Sequence, residues 1–210
     1  MKCFKIIMLS LTLCVGFILS AQNDNDSTIY DYKALSKLRN QQIKNLLDYR
    51  YKGGSGAFER DFFKIVEYND NVRQECVIGT VIISFSVYCD GTMGEFLIIN
   101  PVNEYINMQL QKFYIATTEN WNLCQDDRYS RFEIPILFTV EGADTDAQGF
   151  IVFEAESSGY PCKSDSYYTK EYETYKGKKN KKALKALEVL IKRNPYNQDY
   201  VEEMKMLREK

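Results

Sequence analysis

The chain of 210 residues is 45% hydrophobic and 14% aromatic, which supplies a core for one domain with something small beside it. Its formal net charge of −2 gives no overall basis for binding nucleic acid or acidic lipid. It has no histidine, which removes imidazole bases, Ser-His and Cys-His pairs and histidine-based zinc sites from consideration.

Residues 1–21 read as a cleaved secretory signal: Lys2 and Lys5 precede the apolar run Ile6–Leu19, and Ser20-Ala21-Gln22 offers a small-residue exit. The run is short against the roughly 20 residues of a membrane span. Cleavage near Ala21 implies an exported chain, in the periplasm or cell envelope; a retained anchor is the alternative. Four cysteines follow the signal, Cys76, Cys89, Cys124 and Cys162, and an even number in an exported chain favours disulfides over buried thiols. They allow three pairings. A continuous strand would hold Cys76 and Cys89 about 40 Å apart, at about 3.3 Å per residue, and so excludes that pair.

The stretch 22–50 is predicted to be a tail and a helix. Gln22–Thr28 is polar, and Ile29–Arg50 places Leu35, Leu38, Ile43, Leu46 and Leu47 on one face. Gly53-Gly54-Ser55-Gly56 is expected to be a turn; without a following Gly-Lys-Ser/Thr it is no phosphate loop. A second helix is predicted over Ala57–Tyr68, burying Phe58, Phe62, Ile65 and Val66. Val81, Ile83, Phe85, Val87 and Cys89 alternate with Ile82, Ser84, Ser86 and Tyr88, the period of a strand with one apolar face. Asp90-Gly91 then signals a hairpin into a second strand, Phe96–Ile99. A third helix runs through Ile106, Leu110, Phe113, Tyr114 and Thr117, and Trp121 is placed to close one end of the core.

Arg131–Glu141 alternates again, with Phe132, Ile134, Ile136, Phe138 and Val140 on one side. Pro135 cannot donate to a ladder, so this strand is expected to have an edge near it. In the polar turn Gly142–Gly149, Glu141, Asp144 and Asp146 do not complete a calcium loop. Phe150–Glu156 reads as a further short strand. Beyond Cys162 the charge inverts: Gln22–Cys162 carries 12 basic and 21 acidic residues, Lys163–Lys210 carries 13 and 8. A boundary near residue 162 therefore separates a domain over 51–158 from a helical segment over 163–210, whose apolar faces are Tyr168, Tyr172 and Tyr175, then Ala183, Leu187, Leu190 and Ile191, then Val201, Met204 and Leu207.

Two resemblances follow. Within 51–142 the chain carries Gly53-Gly54, the Ala57-Phe58 helix, Tyr68, Gly79-Thr-Val-Ile-Ile-Ser-Phe-Ser-Val, Asp90-Gly91, the Leu110–Thr117 helix, Trp121 and Ile134-Pro135-Ile136-Leu137-Phe138. In that order and spacing they resemble the C-terminal domain of TonB, the periplasmic energy-transducing protein. The resemblance implies an α+β fold: a three- to four-stranded antiparallel sheet with helices packed on one face, here followed by a short helical segment. It implies a binding role in which a strand takes up an extended segment of an outer-membrane transporter by β-augmentation. On this chain that assigns partner binding to Arg131, Phe132, Glu133, Ile134, Pro135 and Ile136, with no small-molecule substrate, nucleic acid, cofactor or metal. The implied topology puts Cys124 at the same end as Cys89, pointing to Cys89–Cys124 and Cys76–Cys162. The second resemblance, of Ala183, Leu187, Leu190 and Pro195 to one tetratricopeptide repeat, implies helices that dock on the sheet domain or on a partner, since one repeat is not stable alone.

Three functions compete at this point. One is an exported interaction module that captures an envelope peptide on an open strand, unless Phe150–Glu156 pairs with Arg131–Glu141 and blocks it. Another is an envelope scaffold binding through its basic helices, Lys176–Lys192. The third, an enzyme, would rest only on the carboxylate pairs Asp126-Asp127 and Glu154/Glu156, without a histidine to assist them.

Overall fold

The computed structural model describes residues 32–125, 129–157, 159 and 161–209. The signal segment, the tail and the pair Asp126-Asp127 lie outside the described residues. The elements run α1 (Tyr32–Arg50), α2 (Gly54–Ile65), α3 (Asp70–Gln74), β1 (Gly79–Tyr88), β2 (Leu97–Ile99), α4 (Glu104–Ala116), β3 (Tyr129–Val140), β4 (Ile151–Ala155), α5 (Asp165–Tyr175), α6 (Asn180–Arg193) and α7 (Gln198–Arg208).

Five of the helices start at a side-chain cap. The Asp48 carboxylate, in the last turn of α1, accepts from the Ser55 backbone N–H at 2.8 Å and its hydroxyl at 2.6 Å, so one helix caps the next. Asn69, Asn103, Ser164 and Asn197 cap α3, α4, α5 and α7 with their own side chains. Between β1 and β2, Gly91 adopts φ 84° while the Asp90 carboxylate takes the Thr92 N–H and hydroxyl, giving a tight turn within a longer connection.

The sheet order is β2-β1-β3-β4. β1 pairs antiparallel with β2 and with β3, from Gly79 opposite Phe138 to Tyr88 opposite Tyr129. β4 lies parallel to β3, with Ile136 opposite Ile151 and Val140 opposite Ala155. This corrects the wholly antiparallel sheet expected. After Val140 the chain makes no hairpin. The 141–150 link runs back across the sheet, where Thr80 Oγ1 reaches the Gln148 carbonyl, and β4 restarts beside Ile136. Such a crossover is what a parallel pair requires.

One sheet face carries Val81, Ile83, Phe85, Val87, Phe132, Ile134, Ile136 and Phe138, packed against Leu47 of α1, Phe58 and Phe62 of α2, and Ile106, Leu110 and Phe113 of α4. Aromatic edges do much of the filling: Phe58 and Phe62 meet Phe113 at 5.1 and 5.3 Å, and Trp121 sits 5.0 Å from both Tyr51 and Phe132. The other face is also closed, in part by the C-terminal helices, whose docking on the sheet domain is one of the two placements expected for them. Thr80, Ile82, Ser84, Leu137 and Thr139 are buried there, beneath the 141–150 link and the last turn of α6. The approach is so close that a Cβ on Gly79 would lie 2.6 Å from the Lys192 carbonyl oxygen.

The C-terminal helices have their own small core of Tyr172, Ala183, Ala186, Leu187, Leu190, Met204 and Leu207. An ion pair latches them to the 141–150 link. Arg193 Nη1 lies 2.6 Å from Asp165 Oδ1, with both side chains largely buried, while Asp165 Oδ2 accepts from the Thr145 hydroxyl and the Asp146 N–H. Disulfides join Cys76 to Cys162 and Cys89 to Cys124, with Cα atoms 5.6 and 4.6 Å apart. The first ties α3 to the segment just ahead of α5; the second ties the end of β1 to the segment entering β3.

Candidate functional site

β3 has two margins with different neighbours. β1 occupies one along its whole length. On the other, β4 covers Ile136 to Val140 and the Phe150 N–H donates to the Pro135 carbonyl at 2.7 Å. Upstream, among the described residues, no strand pairs with Tyr129–Ile134 on that side. Because the Pro135 carbonyl points away from β1, the alternate residues Tyr129, Arg131 and Glu133 aim their N–H and C=O groups the same way. Pro135 therefore sits where its missing N–H costs β1 nothing. The open stretch presents backbone donors and acceptors from Arg131 and Glu133.

The six residues assigned to partner binding separate accordingly. Arg131 and Glu133 are exposed and form an ion pair at 3.2 Å. Phe132, Ile134 and Ile136 point into the core, Phe132 stacking on Phe85 at 5.2 Å. Ile136 lies opposite Ile151 and Pro135 already accepts from Phe150, so neither is available to an added strand. The usable margin is Tyr129–Ile134, shorter than expected from the sequence and ending at Pro135.

A helix forms the opposite wall. A cavity of about 380 Å³ lies between α1 and this margin, lined by Arg39, Gln42, Ile43 and Leu46 from α1, Arg131, Phe132 and Glu133 from β3, and Tyr196 from the α6–α7 link. α1 is rotated relative to the apolar face read from the sequence. Its buried stripe is Ser36, Ile43, Leu47 and Arg50, while Leu38 and Tyr49 are 64% and 60% exposed. At 100° per residue, Leu35, Leu38, Gln42, Leu46 and Tyr49 form a second line. Of that line only Gln42 and Leu46 face the cavity, so the apolar side chains that α1 brings to the open margin are Ile43 and Leu46.

Two arginines, both missed by the sequence reading, fix this arrangement. Arg50 is buried, and among the described residues it has no carboxylate partner. Its guanidinium donates to Ser130 Oγ at 2.7 Å, to the Tyr88 carbonyl at 2.7 Å and to the Asn122 carbonyl at 3.2 Å, pinning the end of α1 to the start of β3. The signal for it was positional: Arg50 continues the i, i+4, i+7 line of Ile43 and Leu47. Arg39 stacks on the Tyr196 ring at 3.7 Å and donates to Ser36 Oγ at 3.1 Å. Burial lowers its pKa and raises that of the Tyr196 phenol. No local sequence signal places Tyr196 beside α1, since the contact spans more than 150 positions.

Among the described residues no group of three His, Cys, Asp or Glu side chains gathers as a metal site, and no helix is long and apolar enough to cross a membrane. Compared with protein-family models, curated proteins and solved structures, the chain gives no match.

Proposed function

We propose that this chain is an exported, non-enzymatic interaction module of the cell envelope. It binds an extended segment of an envelope protein, such as an outer-membrane transport protein, by strand addition along Tyr129–Ile134. The observation that carries the reading is the half-open margin of β3, unpaired upstream of Pro135 among the described residues and walled by α1. The resemblance to the TonB C-terminal domain supports it, as do an antiparallel β2-β1-β3 unit with α2 and α4 on one face, and two disulfides suited to an oxidising compartment.

Magnitudes constrain the ligand. Arg131 and Glu133 offer four backbone groups, worth about 2–6 kcal/mol at 0.5–1.5 kcal/mol each. Micromolar binding needs about 8 kcal/mol. The remainder must come from apolar side chains of the peptide buried in the cavity against Ile43 and Leu46 of α1, at about 25 cal/mol per Å². The ligand is therefore an extended segment with apolar residues at alternate positions.

Titrating the isotope-labelled chain with N-terminal peptides of outer-membrane transporters tests this. The expected NMR shifts fall on Tyr129–Ile134 and on Arg39–Leu46, with little change at Leu137–Val140. Shifts elsewhere only, or none with any such peptide, defeat the reading.

A further inference from the structure

A second groove lies on the C-terminal helices, away from the open margin. It has a volume of about 880 Å³ and runs between α6 and α7, with Asn100 at one end. Each helix contributes a stripe of the same spacing. Lys185, Glu188, Val189 and Lys192 of α6 stand at i, i+3, i+4 and i+7, and so do Val201, Met204, Lys205 and Arg208 of α7. The groove is therefore about 10 Å long, two helical turns at 1.5 Å per residue.

Its charge is predominantly positive. Val189, Val201 and Met204 form an apolar floor; Lys185, Lys192, Lys205 and Arg208 stand exposed around it against the single acid Glu188. Among the described residues none of these four cations enters an ion pair, whereas Lys176 and Arg193 nearby are both paired. The lysines at the start of α6, Lys179, Lys181 and Lys182, extend the same positive field. Four unneutralised cations round an apolar trough two turns long complement a helix with an apolar stripe and acidic flanks.

We propose that the α6–α7 groove is a second docking site, and that its occupant is an acidic amphipathic helix of a partner protein. Two turns of that helix lay apolar side chains at i, i+3 or i+4, and i+7 on Val189, Val201 and Met204. Its Glu or Asp residues meet Lys185, Lys192, Lys205 and Arg208. The site is independent of strand addition at β3.

The test uses the full secreted chain and a capped peptide of about 16 residues, with Leu at heptad spacing and Glu on both flanks, long enough to form a helix. A scrambled peptide of the same composition is the control. The amphipathic peptide is expected to bind and shift the NMR signals of Val189, Val201 and Met204, with affinity falling as salt rises. Lys185→Glu with Lys205→Glu, both solvent-facing, is expected to weaken it about tenfold or more, while Glu133→Pro leaves it unchanged. Equal binding of the scrambled peptide, or indifference to the double charge reversal, overturns the proposal. So does preferential binding of anionic phospholipid vesicles, which makes the groove a lipid site, or its occupation by a second copy of the chain.

Discussion

Replacing Glu133 with proline separates the open margin of β3 from the strand's place in the sheet. The Glu133 N–H points away from β1, as the Pro135 position shows, so proline there breaks no β1 bond. The exposed Glu133 loses only its ion pair with Arg131, a contact worth at most about 1 kcal/mol. Folding stability should therefore change by about 1 kcal/mol or less. Peptide binding changes more, because an incoming strand loses one donor and keeps a desolvated carbonyl without a partner. That costs about 1–3 kcal/mol, or about five- to 150-fold in affinity at 1.4 kcal/mol per decade. Calorimetric titration of the Glu133→Pro chain with a transporter peptide measures it, alongside Glu133→Gln, which keeps the N–H and should bind within about twofold of the natural chain. Equal affinity of Glu133→Pro and the natural chain refutes the reasoning. So does equal weakening by both variants, which would assign binding to the side chain instead of the backbone.

Other outcomes follow from the same structure. Arg193→Met leaves Asp165 buried with two donors but no cation, and should lower stability by about 3 kcal/mol in urea unfolding; a loss under about 0.5 kcal/mol contradicts the latch. Replacing Cys89 and Cys124 with serine opens a loop spanning 35 positions, and should cost about 4 kcal/mol on the chain-entropy model, seen as a lower denaturation midpoint with a somewhat higher m-value, because the denatured chain is no longer cross-linked. Hydrogen bonds from the Ser55 hydroxyl, the Lys44 ammonium and the Ser55 N–H hold the Asp48 carboxyl well below the usual carboxylate range. Its stabilisation is present above about pH 4 and is lost as pH falls further, so Asp48→Asn should flatten the decline in stability below that pH.

The parts of the fold that were legible in the sequence are those with local causes. The alternation of Val81–Cys89 and Phe132–Val140 marks two strands whose apolar faces do meet in one core. The Asp90-Gly91 turn and the helix through Ile106, Leu110 and Phe113, which is α4 (Glu104–Ala116), rest on equally local signals. The direction of β4 was not legible, because its residues alternate in the same way whether they pair parallel or antiparallel. Direction was decided by the 141–150 link, whose anchor on Thr80 is a distant contact. The rotation of α1 was hidden for a related reason. Five leucine and isoleucine positions suggested one face, but the buried charge of Arg50, held by Ser130 and two carbonyls, turned the helix so that Leu35 and Leu38 face solvent.

The candidate site was half legible. Pro135 announced an interruption on one margin of β3, but on its own it did not indicate which side of the proline would be open. Partition of the margin at Pro135, with β4 downstream and open backbone upstream, depends on how far back the 141–150 link carries the chain. Arg39, Gln42 and Tyr196, which wall the open part, come from elements far apart in sequence, and no pattern within either element connects them.

Amide hydrogen exchange at Arg131 and Glu133 addresses the central claim most directly. In the free chain these two N–H groups should exchange much faster than those of Leu137 and Thr139, which face β4. Saturation with a transporter peptide should slow Arg131 and Glu133 towards the rate of their β4-paired neighbours. A saturating peptide that leaves both amides exchanging at the free rate would contradict strand addition at this margin.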